Sequence, residues 1–239
     1  MDKLIILDAS EKVPFLQEVI CKQGYGDVAI EILEAGCGQR WLIKLGDKKF
    51  VLTGIDLDKE ALEIRRNSKK DLDIAIHGDL RTATFERTFD VIYSAFVLEH
   101  IAGADDVLKR MVNWLSPNGV IVIEIPDPDS VKGLVTRITP HWFHILYYRV
   151  ILGIETAGAP GHGPYRTYFD SVVSRKGIRE FCMRNGLRME AELAFATEGP
   201  RSGVMRTLIG TLTKAISILS LGVYSDRHAD LLYVLRRAD

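Results

Sequence analysis

The residues best placed to do chemistry in this chain are acids and glycines at the ends of apolar runs. Residues 30–35 read Ile-Glu-Ile-Leu-Glu-Ala and break into Gly36-Cys37-Gly38, and about twenty residues later the run 51–55 ends in Asp56. Glycines one residue apart allow positive φ and close approach of backbone N–H groups to a ligand. A carboxylate at the tip of the next strand can accept two hydrogen bonds from a ribose diol. These residues suit a nucleoside. Trp41 occupies the position where a dinucleotide fingerprint carries its third glycine, so the close helix approach that seats a pyrophosphate is disfavoured. Glu34, just before the turn, would repel phosphates and suits a cationic ligand.

Proton chemistry would fall to histidine, whose unperturbed pKa of about 6.5 fits a base near neutral pH. The candidates are His141, His144, His162 and His100. His141 and His144 stand three apart with only His162 near them in sequence. Cys21, Cys37 and Cys182 have neither zinc-ligand nor disulfide spacing, so no metal site is expected.

The elements that must position these residues follow from periodicity. Residues 10–23 repeat apolar positions at helical spacing, and a helix is expected again between Gly38 and the strand ending at Asp56. Asp58 can cap a short helix over 58–67, where Arg65-Arg66 and Lys69-Lys70 read as a solvated face. Strands are expected at 74–77, 89–94, 120–125, 187–193 and 231–235, with helices at 105–115 and 174–185. Ser116-Pro117-Asn118-Gly119 reads as a turn. Alternating strands and helices imply a parallel sheet with right-handed crossovers.

Four motifs in order, Glu34-Ala35-Gly36-Cys37-Gly38, Gly54-Ile55-Asp56, Gly78-Asp79-Leu80, and residues 94–101 followed by 115–120, resemble class I S-adenosylmethionine (SAM)-dependent methyltransferases of the small-molecule, UbiE-like type. Gln39-Arg40 and Asn118 depart from the usual pattern in local turns. The resemblance implies a doubly wound, Rossmann-like α/β sheet of seven strands, mostly parallel with an antiparallel last strand. It also implies a SAM site made by Glu34, Gly36, Cys37, Gly38, Asp56, Leu57, Asp79, Leu80 and Ser94. Asp56 would take the ribose hydroxyls, Asp79 and the Leu80 backbone the adenine edge, and Ser94 the methionine portion. The Leu98-Glu99-His100 pattern recurs in that family whatever the substrate, so His141 or His144 is the first choice of base, ahead of His100.

Two inserts should choose the acceptor. In a single domain spanning 1–239, residues 126–171 form an aromatic-rich lid, hinged by the Gly/Pro run 157–164, with Trp142, Phe143, Tyr147, Tyr148, Tyr165 and Tyr168 as substrate-binding candidates. Residues 197–228 form a helical insert. Its stretch 204–223 is apolar but carries Arg206 and Lys214, which disfavours a membrane span and leaves a surface-lying or homodimer-forming helix. A formal net charge of −1 and a pI near 6.6 give no general attraction to nucleic acid. Asp2 and Lys3 with a short apolar stretch do not make a signal peptide, and scattered cysteines suit a reducing cytoplasm. The expected activity is SAM-dependent methyl transfer to a small or medium-sized apolar acceptor at O or N, such as a secondary metabolite, quinone precursor or lipid. The alternatives are a nicotinamide-dependent oxidoreductase and a non-catalytic SAM-binding protein.

Overall fold

The computed structural model describes residues 4–159, 162–168, 170–196 and 203–238. Pro160 and Gly161 of the expected hinge, Phe169 and residues 197–202 of the helical insert lie outside them. Eight strands form one sheet: β1 (Ile5–Leu7), β2 (Ile30–Ala35), β3 (Phe50–Asp56), β4 (Ile74–His77), β5 (Phe89–Ala95), β6 (Leu115–Pro126), β7 (Leu187–Ala196) and β8 (His228–Arg237). Their order is β1-β7-β8-β6-β5-β2-β3-β4. β8 runs antiparallel to both β6 and β7, and the other pairings are parallel. The expected doubly wound α/β sheet is therefore present, with one strand more than the seven expected. The addition is β1, a three-residue Ile-Ile-Leu edge strand too short to show periodicity.

The strands alternate their buried side chains between two layers, as period-two geometry requires. Leu33, Ile92, Ile121 and Ile123 pack against Val107, Leu108 and Met111 of α3 (Ala104–Trp114) and Ile178 and Phe181 of α6 (Arg175–Arg184). Ile32, Val91, Val120 and Val122 pack on the other face against Leu16 and Ile20 of α1 (Ala9–Cys21).

Two local expectations are corrected. No helix follows the glycine turn: residues 39–49 cross from β2 to β3 with neither helix nor strand, turning at Gly46-Asp47. Ile43 and Leu45 are buried between exposed Leu42 and Lys44, a period of two that packs the segment on the sheet without helical hydrogen bonds. The Ser116–Gly119 tetrapeptide is absorbed into β6 as an irregularity. Phe89 pairs with Leu115 and Val91 with Val120, and a Cβ on Gly119 would meet the Asp90 and Phe89 carbonyls at 2.9 Å.

Between β6 and α6 lie two helices, α4 (Val131–Ile138) and α5 (His141–Val150), and α7 (Gly203–Leu219) precedes β8. α4 packs against α7. A buried network pins this region to the sheet: Asp127 and His228 Nε2 share a 2.7 Å hydrogen bond, and His228 Nδ1 and Ser225 Oγ share one of 3.0 Å. The Val131 N–H closes it by donating to the Ser225 carbonyl.

Candidate active site

The glycine turn is held by β3. The Gly36 and Cys37 N–H groups both donate to the Ile55 carbonyl, and the Gly38 N–H donates to Asp56 Oδ2 at 2.8 Å. The Asp58 N–H donates to Asp56 Oδ1 at 2.8 Å. Asp56 thus stands at the strand tip with each oxygen oriented by one backbone donor, and each keeps acceptor capacity for a diol. Gly36 has φ +77°, and a Cβ there would lie 2.3 Å from Val97 Cγ2, so only glycine lets the turn close onto the segment after β5.

Beneath the turn lies the largest departure from the sequence reading. Arg65, expected on a solvated face, has 0% exposure. Asp58 caps α2 (Lys59–Glu63) as expected, accepting from the Ala61 N–H, but the helix then widens into a π turn over Ile64–Lys69 that directs Arg65 inward. Its guanidinium donates to Glu34 at 2.9 Å, to the Cys37 carbonyl at 2.8 Å and to Asp71 at 2.6 Å. Glu34 is buried against this cation; burial pushes its carboxyl up while Arg65 opposes the shift. Burial likewise pushes the Cys37 thiol up to about 12, which leaves it an uncharged packing group. The turn that lacks a following helix rests on a fixed positive charge instead.

The other cofactor candidates line the same edge of the sheet. Asp79, at the turn after β4, is gripped by Arg81, which donates through Nε and through Nη2 at 2.6 Å and holds the carboxyl below its usual range. Leu80 is buried beside it, and Leu57 is exposed. Ser94, near the end of β5, is 1% exposed with its Oγ unpartnered. A positive-φ glycine cradle, an oriented carboxylate and an orphaned buried hydroxyl on adjacent strand ends fit an adenosyl cofactor with a methionine tail.

Past β5 the chain turns at Phe96, with φ 56°, into a 3₁₀ turn over Leu98–His100. Glu99 is 6% exposed, its Oε2 has no partner, and burial pushes its carboxyl up to about 8. His100 Nε2 lies 3.8 Å from Glu99 Oε1, and its Nδ1 shares a 3.0 Å hydrogen bond with the Arg166 carbonyl. Burial lowers the His100 pKa. Glu99 lines a cavity of about 60 Å³ with Thr136, Thr167, Tyr168 and Val173, and the Tyr168 N–H donates to the Glu99 carbonyl. Tyr165 stacks edge-on against His100, and burial, with the Asp58 and Asp56 charges, pushes its hydroxyl up. The Tyr165–Tyr168 segment therefore bridges the ribose acid and the Glu99–His100 turn.

The remaining candidates sit elsewhere. His144 Nε2 shares a 2.6 Å hydrogen bond with Thr139 Oγ1 at the α4–α5 corner and makes a ring contact with exposed His141. His162 is exposed. Trp142 and Phe143 are exposed and touch edge to face, as do the rings of Tyr147 and Tyr148; none of these four lines the cavity. The sequence reading missed Glu99 and Arg65. Glu99 had one signal, an acid inside an otherwise apolar strand exit; Arg65 had none. No cluster of His, Cys, Asp and Glu able to hold a metal occurs among the described residues.

Comparison with known proteins agrees with this geometry. A family described as a methyltransferase domain matches residues 9–192. The malonyl-[acyl-carrier protein] O-methyltransferase of Halalkalibacterium halodurans is 29% identical over 112 residues, covering 43% of this chain and 41% of that protein. The ubiquinone biosynthesis O-methyltransferase of Rickettsia typhi is 26% identical over 117 residues, covering 47% of each chain. The chain thus spans under half the length of these two relatives. Among solved structures, the N-methyltransferase NodS of Bradyrhizobium japonicum with S-adenosyl-L-homocysteine has a TM-score of 0.56 at 17% identity, covering 96% of this chain and 87% of its own. The magnesium protoporphyrin IX methyltransferase of Synechocystis gives 0.55 at 13%, covering 95% and 82%. With a family match over most of its length, the chain belongs to the methyltransferase domain family.

Proposed function

We propose that this enzyme methylates a hydroxyl of a small, mostly apolar acceptor and that Glu99, with His100 beside it, receives the acceptor's proton. The observation that carries the reading is the buried, unpartnered Glu99 Oε2 in a small cavity next to the segment on which the glycine turn closes. About 60 Å³ holds one reacting group or two waters, not a whole acceptor, so the body of the acceptor would lie under the Tyr165–Tyr168 segment, within the expected lid 126–171 of a single domain.

SAM supplies an electrophilic methyl on a sulfonium sulfur. Asp56 and Asp79 would hold the nucleoside, and Ser94 and the glycine turn would hold the methionine tail. Glu99, whose carboxyl burial pushes up to about 8, accepts the proton in its ionised form, whose fraction grows as pH approaches 8, and general-base help is typically worth about 10²–10⁴ in rate. Alignment of methyl and nucleophile supplies the rest. The two relatives matched by sequence are named O-methyltransferases, which supports oxygen over nitrogen. Three unpaired cysteines support a reducing, cytoplasmic setting.

The test is a panel of phenolic, catecholic and carboxylate acceptors incubated with SAM, read by homocysteine-product release and a methyl mass gain, for the wild type and Glu99→Gln. The expected result is methylation of a hydroxyl acceptor that Glu99→Gln suppresses without weakening SAM binding. A carboxylate has no proton to surrender, so turnover on carboxylates alone, undiminished in Glu99→Gln, would overturn the reading.

A further inference from the structure

The two inserted helical regions share a charge pattern found nowhere else in the chain. Across the protein 32 acids balance 31 lysines and arginines. Yet residues 131–154 contain Lys132, Arg137 and Arg149 with no Asp or Glu, and residues 203–225 contain Arg206 and Lys214 with none either. Elsewhere several surface cations pair with carboxylates, as Lys109 and Arg184 do with Asp105 and Arg236 does with Glu190, and at the start of α4 Lys132 reaches Asp230 of β8 at 3.9 Å. Here Arg137 donates to the Tyr224 hydroxyl and Arg149 to the Ala157 carbonyl. Both charges, and exposed Lys214, have no carboxylate partner among the described residues.

The same helices expose their apolar side chains. On α5, Trp142, Leu146 and Val150 recur every four residues along one face and are exposed, Trp142 by 64%; α5 has no buried residue at all. On α7, Leu208, Leu212 and Leu219 fall on one face, exposed by 63%, 59% and 83%. α4 joins the two, packing against α7 and leading into α5 through Thr139-Pro140, while its Gly133 and Thr136 line the Glu99 cavity. Apolar stripes flanked by cations, with a tryptophan among them and no carboxylates, match a bilayer surface whose headgroups are anionic and whose interior is apolar. A second copy of this face would set cation against cation, and an acidic protein would leave the leucines against a polar surface. No helix among the described residues is long and apolar enough to cross a membrane.

We propose that α4, α5 and α7 form a docking face for an anionic lipid surface, which brings the Glu99 cavity to the membrane. Docking stands on the charge and exposure of this face and not on the proposed acceptor, so its test reads binding rather than turnover. The full chain is sedimented with vesicles of equal parts phosphatidylcholine and phosphatidylglycerol, and with phosphatidylcholine alone. Binding should be at least about tenfold stronger to the anionic vesicles and should weaken as salt rises, each cation contributing about fivefold. A Leu212→Glu, Leu219→Glu variant should lose about tenfold or more while keeping SAM affinity. In the wild type, Trp142 emission should shift to the blue on anionic vesicles, and Trp142→Phe should abolish the shift, which tests docking independently of any folding defect in the variant. Absence of binding to anionic vesicles, or equal binding by the double variant, would overturn the proposal. So would a wild-type dimer that the double variant dissociates, since the face would then be covered by a second copy.

Discussion

The strand ends around the glycine turn and the inserted helices α4, α5 and α7 treat charge in opposite ways. Under the glycine turn, Arg65 is wholly buried and closed in by Glu34, Asp71 and the Cys37 carbonyl. Farther along the same face of the sheet, Glu124 is buried and accepts from Lys12 Nζ at 2.8 Å and Tyr93 Oη at 2.6 Å. In α4, α5 and α7 every charged residue is a cation, and Arg137, Arg149 and Lys214 face solvent beside exposed apolar side chains. Buried, mutually satisfied charges fix one geometry, because any displacement leaves an uncompensated ion. Exposed apolar helices with few partners can shift at little cost. The donor half is built to be rigid, and the acceptor half is built to meet something else.

This contrast can be broken most severely at Arg65. Arg65→Met should cost about 3–5 kcal/mol in urea unfolding because Glu34 is left buried without its cation. Adding Glu34→Leu should recover part of that loss; no recovery would mean that Arg65 acts through packing alone. Glu99→Gln should lower turnover by about 10²–10⁴ with SAM affinity unchanged in calorimetric titration. Asp56→Ala should weaken SAM binding about ten- to a hundredfold, for loss of charge-assisted hydrogen bonds to the ribose.

Smaller effects sharpen the comparison. The Glu99 carboxyl titrates near 8 in the folded protein and near the ordinary carboxylate range when unfolded. The folded state therefore holds the extra proton between those values, and stability falls as pH rises through that window, by at most about 1.4 kcal/mol per unit. Glu99→Gln should flatten this slope in denaturation curves taken from pH 5 to 8; an unchanged slope would place the titration on another group. The smallest effect belongs to the inserts: Leu212→Gln should change stability by no more than about 0.5 kcal/mol, since that side chain already faces solvent.

Much of the donor half was legible in the sequence. The apolar runs ending at Asp56 and Ser94 are mostly buried strands, the run before Asp79 is the half-buried edge strand β4, and their ends meet at one edge because parallel strands with crossovers leave no other arrangement. Capping by Asp58, which accepts from the Ala61 N–H, was readable because it is local. The irregular crossover at 39–49 was misread because its apolar residues fit a helical and a strand period almost equally over so short a span.

The sequence by itself determined the order of the strands in the chain, the acids at their tips and the class of cofactor, since these depend on periodicity and on glycine and carboxylate chemistry within a few residues. Only the tertiary structure decided where charge is buried. Arg65 looks like any surface arginine until Glu34 and Asp71 close around it. Glu99 looks like part of a recurring strand exit until residues 166–168, far along the chain, pack over it and strip its water. Burial is a property of everything that surrounds a group, and for these two residues the surroundings come from distant stretches of sequence.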